Sequence, residues 1–406
     1  MAHFYPFQAL RPDAETAAEV ASLPYDVVTE DEVRYFCQDP KSFMHVIRAE
    51  GDLPEDADPY GSEVYELAAA NLAKMKEEGL LRKDETPAYY IYREISSDHT
   101  QTGIVGCASV NNYKSGAVRR HELTVKAKED DRTRHILATR AQTGPVFLTF
   151  PDRKEIAELI EEETKKEPLY GFEKFGVVHR MWKVSDPDTV AKLRNAFEAI
   201  DVLYIADGHH RAASSVRAAQ ELHAAENDEA GRFMAVAFPA NDLSLLGYHR
   251  FVKDLNGLSE TEFLDRVSKA FYVETLDAFT AVAPQHAHEI IMVINDTWYK
   301  LNPHRDIYDP RDSIGRLDVS ILQDHLLKPI LGIEDPRMDP RIVFIGGKDG
   351  MAHVETLASK PDCVGFLLYP TDIHDLLAVA DDHGIMPPKS TWFEPKLLSG
   401  LLVHEI

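Results

Sequence analysis

The run Val202-Leu203-Tyr204-Ile205-Ala206-Asp207-Gly208-His209-His210-Arg211 constrains the chain more than any other stretch. Residues 202–206 are apolar and rich in β-branched and aromatic side chains, as a short buried strand requires. Asp207-Gly208 breaks that run. From 211 to 225 Ala, Arg, Gln, Glu and Leu dominate, all but the turn polar groups being strong helix formers. A strand therefore hands over to a helix, and a polar cluster sits at the junction. The opening amides of a helix have no partner within it, and the macrodipole is positive there, so the junction favours an anion. Gly208 permits close backbone approach, and Arg211 can chelate a pair of phosphate oxygens. An Asp cap, a glycine turn and two solvated histidines form the competing reading. Asp207 alone would serve as a cap, however, so propensity gives no reason for two histidines and an arginine at this point.

The remaining pattern mixes strands and helices. A capped helix is predicted to begin near Thr29-Glu30, and 41–50 alternates like a half-buried strand that leaves His45, Arg48 and Glu50 as polar candidates. Apolar residues at helical spacing predict a helix over 60–81. Strands are expected at 88–93, 103–110, 144–150, 179–184 and 233–239, with 245–251 pairing beside the last. Helices are expected at 153–167 and 186–199. The class is α+β (mixed α/β). A turn at Asp254-Leu255-Asn256-Gly257 places a boundary there, dividing a phosphate-binding part, 1–255, from an α/β part, 256–406. The second part carries strands at 290–294, 341–345 and 364–369, and helices at 260–271, 317–331 and 371–382.

Two further constellations carry chemistry. Arg119, Arg120, Lys126, Lys128 and Arg132 can hold phosphate, and Glu122, Glu129 and Asp131 interleave with them as bases or Mg²⁺ ligands. A solvated charged face is the competing reading of this run. The tail 386–400 is stiffened by Pro387, Pro388 and Pro395. Its Lys389 and Lys396 are expected to point into a site, against a simpler docking strand anchored by Trp392.

Charge narrows the partners. Lys and Arg number 44 against 68 Asp and Glu, a formal charge of -24, which repels polyphosphate backbones and argues against nucleic-acid binding. Cys37, Cys107 and Cys363 are widely separated and form no CxxC pair, so neither a disulfide framework nor a thiolate zinc site is indicated. No apolar run reaches the length of a membrane span and the N-terminus lacks a basic-then-apolar leader, so the expected setting is soluble and cytoplasmic.

The chain resembles the bacterial and archaeal family called domain of unknown function 1015. The matching segments are Pro24-Tyr25-Asp26-Val27-Val28, Ser42-Phe43-Met44-His45-Val46 with Arg48 and Glu50, 120–132, 204–211 and 386–400. Locally, Asp207-Gly208-His209-His210-Arg211 is similar to the phosphate-binding turn of free-serine kinases built on the ParB/sulfiredoxin fold. That resemblance implies a ParB/sulfiredoxin-like core, Asp207 near a metal or the substrate hydroxyl, and Gly208, His209, His210 and Arg211 around nucleotide phosphates. It also implies a separate acidic base, for which Glu122, Glu129 and Asp26 all qualify.

The expected function is a nucleotide-dependent phosphotransferase acting on a small hydroxyl compound, free L-serine above others. ATP or ADP with Mg²⁺ are the cofactors, Asp207 and Glu129 the metal ligands. Glu122 takes the hydroxyl proton, and the catalytic set is Glu122, Asp207, His209 and His210. Arg120, Lys128, Arg132 and Lys389 join 208–211 in holding the nucleotide, with Arg211, His209 and His210 neutralising charge on the transferring group. The partners are the nucleotide and a serine-like small molecule, with neither nucleic acid nor membrane, and a homodimer is admitted. A non-catalytic nucleotide switch of ParB-like type is the alternative. A metal-dependent hydrolase using His209 and His210 is a weaker one, since adjacent helical residues point about 100° apart.

Overall fold

A computed structural model describes residues 1–277 and 281–406. The chain divides into two compact units, 1–243 together with 395–406, and 244–394.

The first unit is built on a nine-stranded mixed sheet. In chain order its strands are β1 (Phe4–Tyr5), β2 (Tyr89–Ile95), β3 (Thr100–Ser109), β4 (Val118–Arg119), β5 (Val146–Phe150), β6 (Tyr170–Lys174), β7 (Val177–Val184), β8 (Leu203–Asp207) and β9 (Arg232–Pro239). Across the sheet they run β4-β8-β5-β9-β3-β2-β7-β6, with β1 on β3. β8 is parallel to β4 and antiparallel to β5, whereas β9 is parallel to β5. The helices used below are α1 (Glu30–Phe36), α2 (Met44–Ile47), α3 (Ser62–Glu77), α4 (Lys126–Thr139), α5 (Lys154–Glu163), α6 (Pro187–Glu198) and α7 (His209–Glu221).

Two apolar clusters explain the layering. Ile156 and Ile160 of α5, Leu193 and Phe197 of α6, and Ala212, Val216 and Ala219 of α7 pack with Ile104, Leu148, Leu203, Ile205 and Phe233 of the sheet. Each such fully buried Leu, Ile or Phe contributes about 1.5–3 kcal/mol of burial free energy. Alanines at 212, 213, 218 and 219 are buried and allow α7 to lie close to its neighbours. A second cluster joins Val33 of α1, Met44, Val46 and Ile47 of α2, and Leu72 and Met75 of α3 to Leu10, Ala141 and Val403. α1 opens with a capping box between Thr29 and Glu32.

The second unit is built on a six-stranded antiparallel sheet, with helices at Glu260–Val267, Asp318–Leu322, Gly350–Ala358 and Ile373–Asp381. Its strands are β10 (His249–Val252), β11 (Phe271–Leu276), β12 (Ile290–Ile294), β13 (Thr297–Pro303), β14 (Ile342–Ile345) and β15 (Val364–Leu368). They are ordered β11-β13-β12-β15-β10-β14.

Three expectations are corrected. The half-buried strand over 41–50 is a helical turn, α2, followed by a 3-10 turn, Ala49–Asp52. Buried Phe43, Met44, Val46 and Ile47 fall at helical rather than alternating spacing, and the Ser42 hydroxyl accepts from Met44 N at 3.3 Å to start the turn. Residues 245–251 do not pair beside β9, because β10 lies between β14 and β15 of the other sheet. The division falls before Ser244 rather than at 255, and 395–406 returns to the first unit. There Ser399 bridges Ser22, Val403 bridges Leu10, and His404 pairs with Gln142.

Four buried imidazoles give the fold an acid limit. His121, His135 and His179 in the first unit and His249 in the second are each pushed down to about 4, chiefly by burial. In the unfolded chain they titrate near ~6.5. Between those values the unfolded chain binds more protons, so stability is intact above the upper one and is lost as pH falls toward the lower. Thermal melting at about pH 7 and about pH 5 is expected to give a clearly lower midpoint in acid. Equal midpoints would contradict neutral buried rings.

Candidate functional site

β8 ends in a bulge, where its register with β5 shifts between Ile205 and Asp207. Gly208 follows with φ +89° and serves as N-cap of α7. The Asp207 carboxylate accepts from Gly208 N at 2.8 Å, and the first intrahelical bond runs from Ala212 N to Gly208 O at 3.0 Å. The opening amides of α7 therefore point out of the helix end. Glycine is required at 208 twice over. A left-handed backbone strains any other residue, and a Cβ there would meet Arg211 Nε at 2.9 Å. Gly208→Ala is expected to cost about 1–3 kcal/mol of stability, as read by urea unfolding. An unchanged midpoint would contradict this packing.

Arg211 lies back over the glycine. Its Nη1 donates to Pro145 O, and its Nη2 stands 3.5 Å from Asp207 Oδ2. Its Nε is buried and has no hydrogen-bond partner among the described residues. Lys396, carried in by the returning tail, places Nζ 3.6 Å from the same Asp207 oxygen. Burial raises the Asp207 carboxyl, but the charges of Lys396 and Arg211 and the Gly208 amide outweigh it, holding the group well below the usual carboxylate range. Asp207 is thus an anion at any physiological pH, and a third of its side chain remains exposed. Arg211 also lines a pocket with Tyr25, Arg132, His135, Gly144 and Ser399.

Just past β4, in the irregular segment that leads to α4, stand His121 and Glu122. The rings of His121 and His209 meet edge to face with centroids 4.5 Å apart, and both are almost fully buried. His121 N donates to His209 Nε2 across a long 3.4 Å. Burial, then His121, holds His209 well below its ordinary pKa, so the ring is neutral. With Nε2 accepting, the ring proton sits on Nδ1, which faces Glu122 Oε2 at 3.8 Å. His121 Nδ1 is itself buried and has no hydrogen-bond partner among the described residues.

The other residues singled out in the sequence are engaged differently. His210 Nε2 accepts from Val125 N at 2.9 Å, at the N-cap of α4, so this ring helps start a helix. With Nε2 accepting a backbone N–H on each ring, neither His209 nor His210 supplies the positive charge expected of it. Glu129 accepts from Thr124 Oγ1 at 2.9 Å and faces Arg217 at 3.9 Å. Arg132 is tied to Asp131 at 2.7 Å and to Ile47 O at 3.2 Å, with its guanidinium 4.3 Å over the Tyr25 ring. Arg120, Lys128 and Asp26 are exposed. Lys389 belongs to the second unit, where its ammonium lies 5.8 Å over the Tyr248 ring and its carbonyl accepts from Arg250 at 3.0 Å. The tail 386–400 is thus split between the units, with Lys396 in the first and Lys389 in the second. His121 is the member that residue types alone did not single out as functional. Its signal is a histidine between Arg120 and Glu122, masked by the surrounding charge run.

Among the described residues no helix is long and apolar enough to cross a membrane. The sequence matches, over residues 4–320, the family described as protein of unknown function (DUF1015). Among curated proteins none matches the chain. Solved structures similar to it include SbnI with C-terminal truncation from Staphylococcus aureus, at 12% identity and TM-score 0.39, over 72% of this chain and 85% of that one. A conserved hypothetical protein from Pyrococcus furiosus shares 12% identity at TM-score 0.37, over 75% and 95%. A free serine kinase in complex with AMP shares 13% at TM-score 0.37, over 72% and 86%. Likenesses at these values carry no argument about activity.

Proposed function

The chain belongs to the DUF1015 family, and from its own site we propose that it is a nucleotide-dependent phosphotransferase acting on a small hydroxyl compound, free L-serine first among them. The observation that carries the reading is the cationic helix mouth. Arg211 and Lys396 converge on one carboxylate beside the opening amides of α7, and Arg211 Nε is buried with no hydrogen-bond partner among the described residues. Such a mouth favours a polyanion. The local likeness of 207–211 to the phosphate turn of free-serine kinases on a ParB/sulfiredoxin core points the same way.

In this proposal the phosphates of ATP or ADP lie against the α7 amides, with Arg211 gripping two oxygens and Lys396 a third. Asp207 holds both cations in place. It is also the carboxylate that fits Mg²⁺, because it is ionised and partly exposed. Glu129, engaged with Thr124, contributes less. A magnesium ion there would add charge neutralisation at the phosphates. Glu122 accepts the proton of the attacking hydroxyl, and the Nδ1–H of His209 orients that carboxylate. His209 acts as a fixed dipole, not as a cation. Phosphoryl transfer depends mainly on positioning and electrostatics, which these groups provide.

The test is incubation of the purified chain with ATP or ADP, Mg²⁺ and L-serine, with phosphoserine read by mass spectrometry. Formation of phosphoserine is expected with one of the two donors. No turnover with serine or any other small alcohol would overturn the reading.

A further inference from the structure

A separate cluster lies on the first helices of the chain, at Cys37, His45 and Asp52. Cys37 is the C-cap of α1, His45 is on α2, and Asp52 ends the 3-10 turn that follows. One thiol sulfur, one imidazole nitrogen and one carboxylate oxygen all lie within 4.8 Å of one another. Among the described residues this is the one group of three or more His, Cys, Asp or Glu side chains placed so closely. The site is distinct from the helix mouth and does not rest on the phosphotransferase reading.

We infer that Cys37, His45 and Asp52 bind a zinc-type dication, with three protein ligands and an open fourth position. The second layer is already arranged for it. His45 presents Nδ1 to the cluster, 2.8 Å from Asp52, while its Nε2 stands 3.0 Å from Asp39 O. A metal-bound imidazole characteristically donates its other ring N–H to a carbonyl in this way, which fixes both the ring and its tautomer. Asp52 in turn accepts from Asn71 Nδ2 at 3.1 Å, and the same amide nitrogen holds His45 O at 2.7 Å. Gly51 leaves room for the thiol, because a Cβ there would meet Cys37 Sγ at 2.7 Å.

Ligand chemistry selects the ion. Thiolate with imidazole and carboxylate suits zinc and its neighbours in the first transition row, whereas magnesium and calcium take oxygen ligands. Bonds of about 2.0–2.3 Å place tetrahedral ligand atoms roughly 3.2–3.8 Å apart. The His45–Asp52 pair, at 2.8 Å, therefore opens by about half an ångström and the thiol, within 4.8 Å of both, draws in by up to about an ångström, within the reach of small rotations. The ion displaces the Nδ1 proton of His45 and the thiol proton of Cys37, and both pass to solvent. The His45 and Asp52 side chains are 16% and 25% exposed, which leaves an open flank for ion and water. Because α2 also carries the carbonyls that hold Arg132 and His135, an ion at His45 would fasten a wall of the Arg211 pocket.

The test uses Co²⁺ and Zn²⁺ alone on the full chain. Cobalt is expected to give a sulfur-to-metal charge-transfer band at one ion per chain, with zinc displacing it. Cys107 and Cys363 are buried, so the band reports Cys37. Cys37→Ser should abolish the band and weaken zinc binding at least about 100-fold by calorimetry, the order expected for loss of a zinc ligand or its support. His45→Gln should weaken it comparably while leaving the thiol in place. No charge-transfer band in the unaltered chain, or zinc binding that survives Cys37→Ser undiminished, would overturn the inference. The band in the unaltered chain decides the matter even if a variant fails to fold.

Discussion

Glu122→Gln lowers phosphoserine formation about 100- to 10,000-fold and leaves nucleotide affinity nearly unchanged. The amide keeps the shape and the contact facing His209 Nδ1 but cannot accept a proton from the acceptor hydroxyl. Glu122 suits the role better than its neighbours on two grounds. Its carboxylate is 35% exposed, so substrate can reach it, and it stands 3.8 Å from a neutral ring whose proton faces it. Asp207, held ionised by two cations, is a poor proton acceptor at neutral pH. Initial rates with saturating nucleotide, set beside calorimetric affinity, separate the outcomes. Retained turnover would move the base to Asp26 or Glu129. A parallel fall in rate and affinity would make Glu122 a binding group.

Arg211→Ala is expected to weaken nucleotide binding by about 30- to 150-fold. That is the effect of losing charge-assisted hydrogen bonds of about 2–3 kcal/mol. The side chain also leaves Pro145 O and Asp207 with one partner fewer, so a small loss of thermal stability should accompany it. Arg211→Lys keeps the charge and loses the two-pronged geometry, so its affinity should fall between the two. Titration of ADP with Mg²⁺ into the three proteins checks the series. Affinity indifferent to residue 211 would mean that phosphate is held elsewhere.

The strand-to-helix junction was legible because three local signals agree there: a β-branched run, a glycine that only a left-handed turn needs, and helix formers beyond it. The buried strands β2, β3, β5, β7 and β9 were legible for the same reason. The failures share a different cause. Four residues of α2 are too few for a helical period to stand out, so the polar His45, Arg48 and Glu50 set among apolar neighbours passed for the polar face of a strand. The partner of β10 lies about a hundred residues away, at Ile342–Ile345 and Val364–Leu368, and no local pattern reveals such a pairing. Lys396 and Lys389 look alike in the tail, and only the return of 395–406 to the first unit distinguishes them. The two histidines were conspicuous, but their charge depends on burial. His209 sits against His121 and is neutral, while His210 caps α4, and neither environment is written in residues 207–211.

The most direct measurement is a crystal structure of the chain soaked with Mg²⁺ and a non-hydrolysable triphosphate. Phosphate density is expected within hydrogen-bond distance of the first amides of the His209–Glu221 helix, of the Arg211 guanidinium and of Lys396 Nζ. Nucleotide bound elsewhere, with Arg211 and Lys396 still closed on Asp207 and nothing between them, would contradict it.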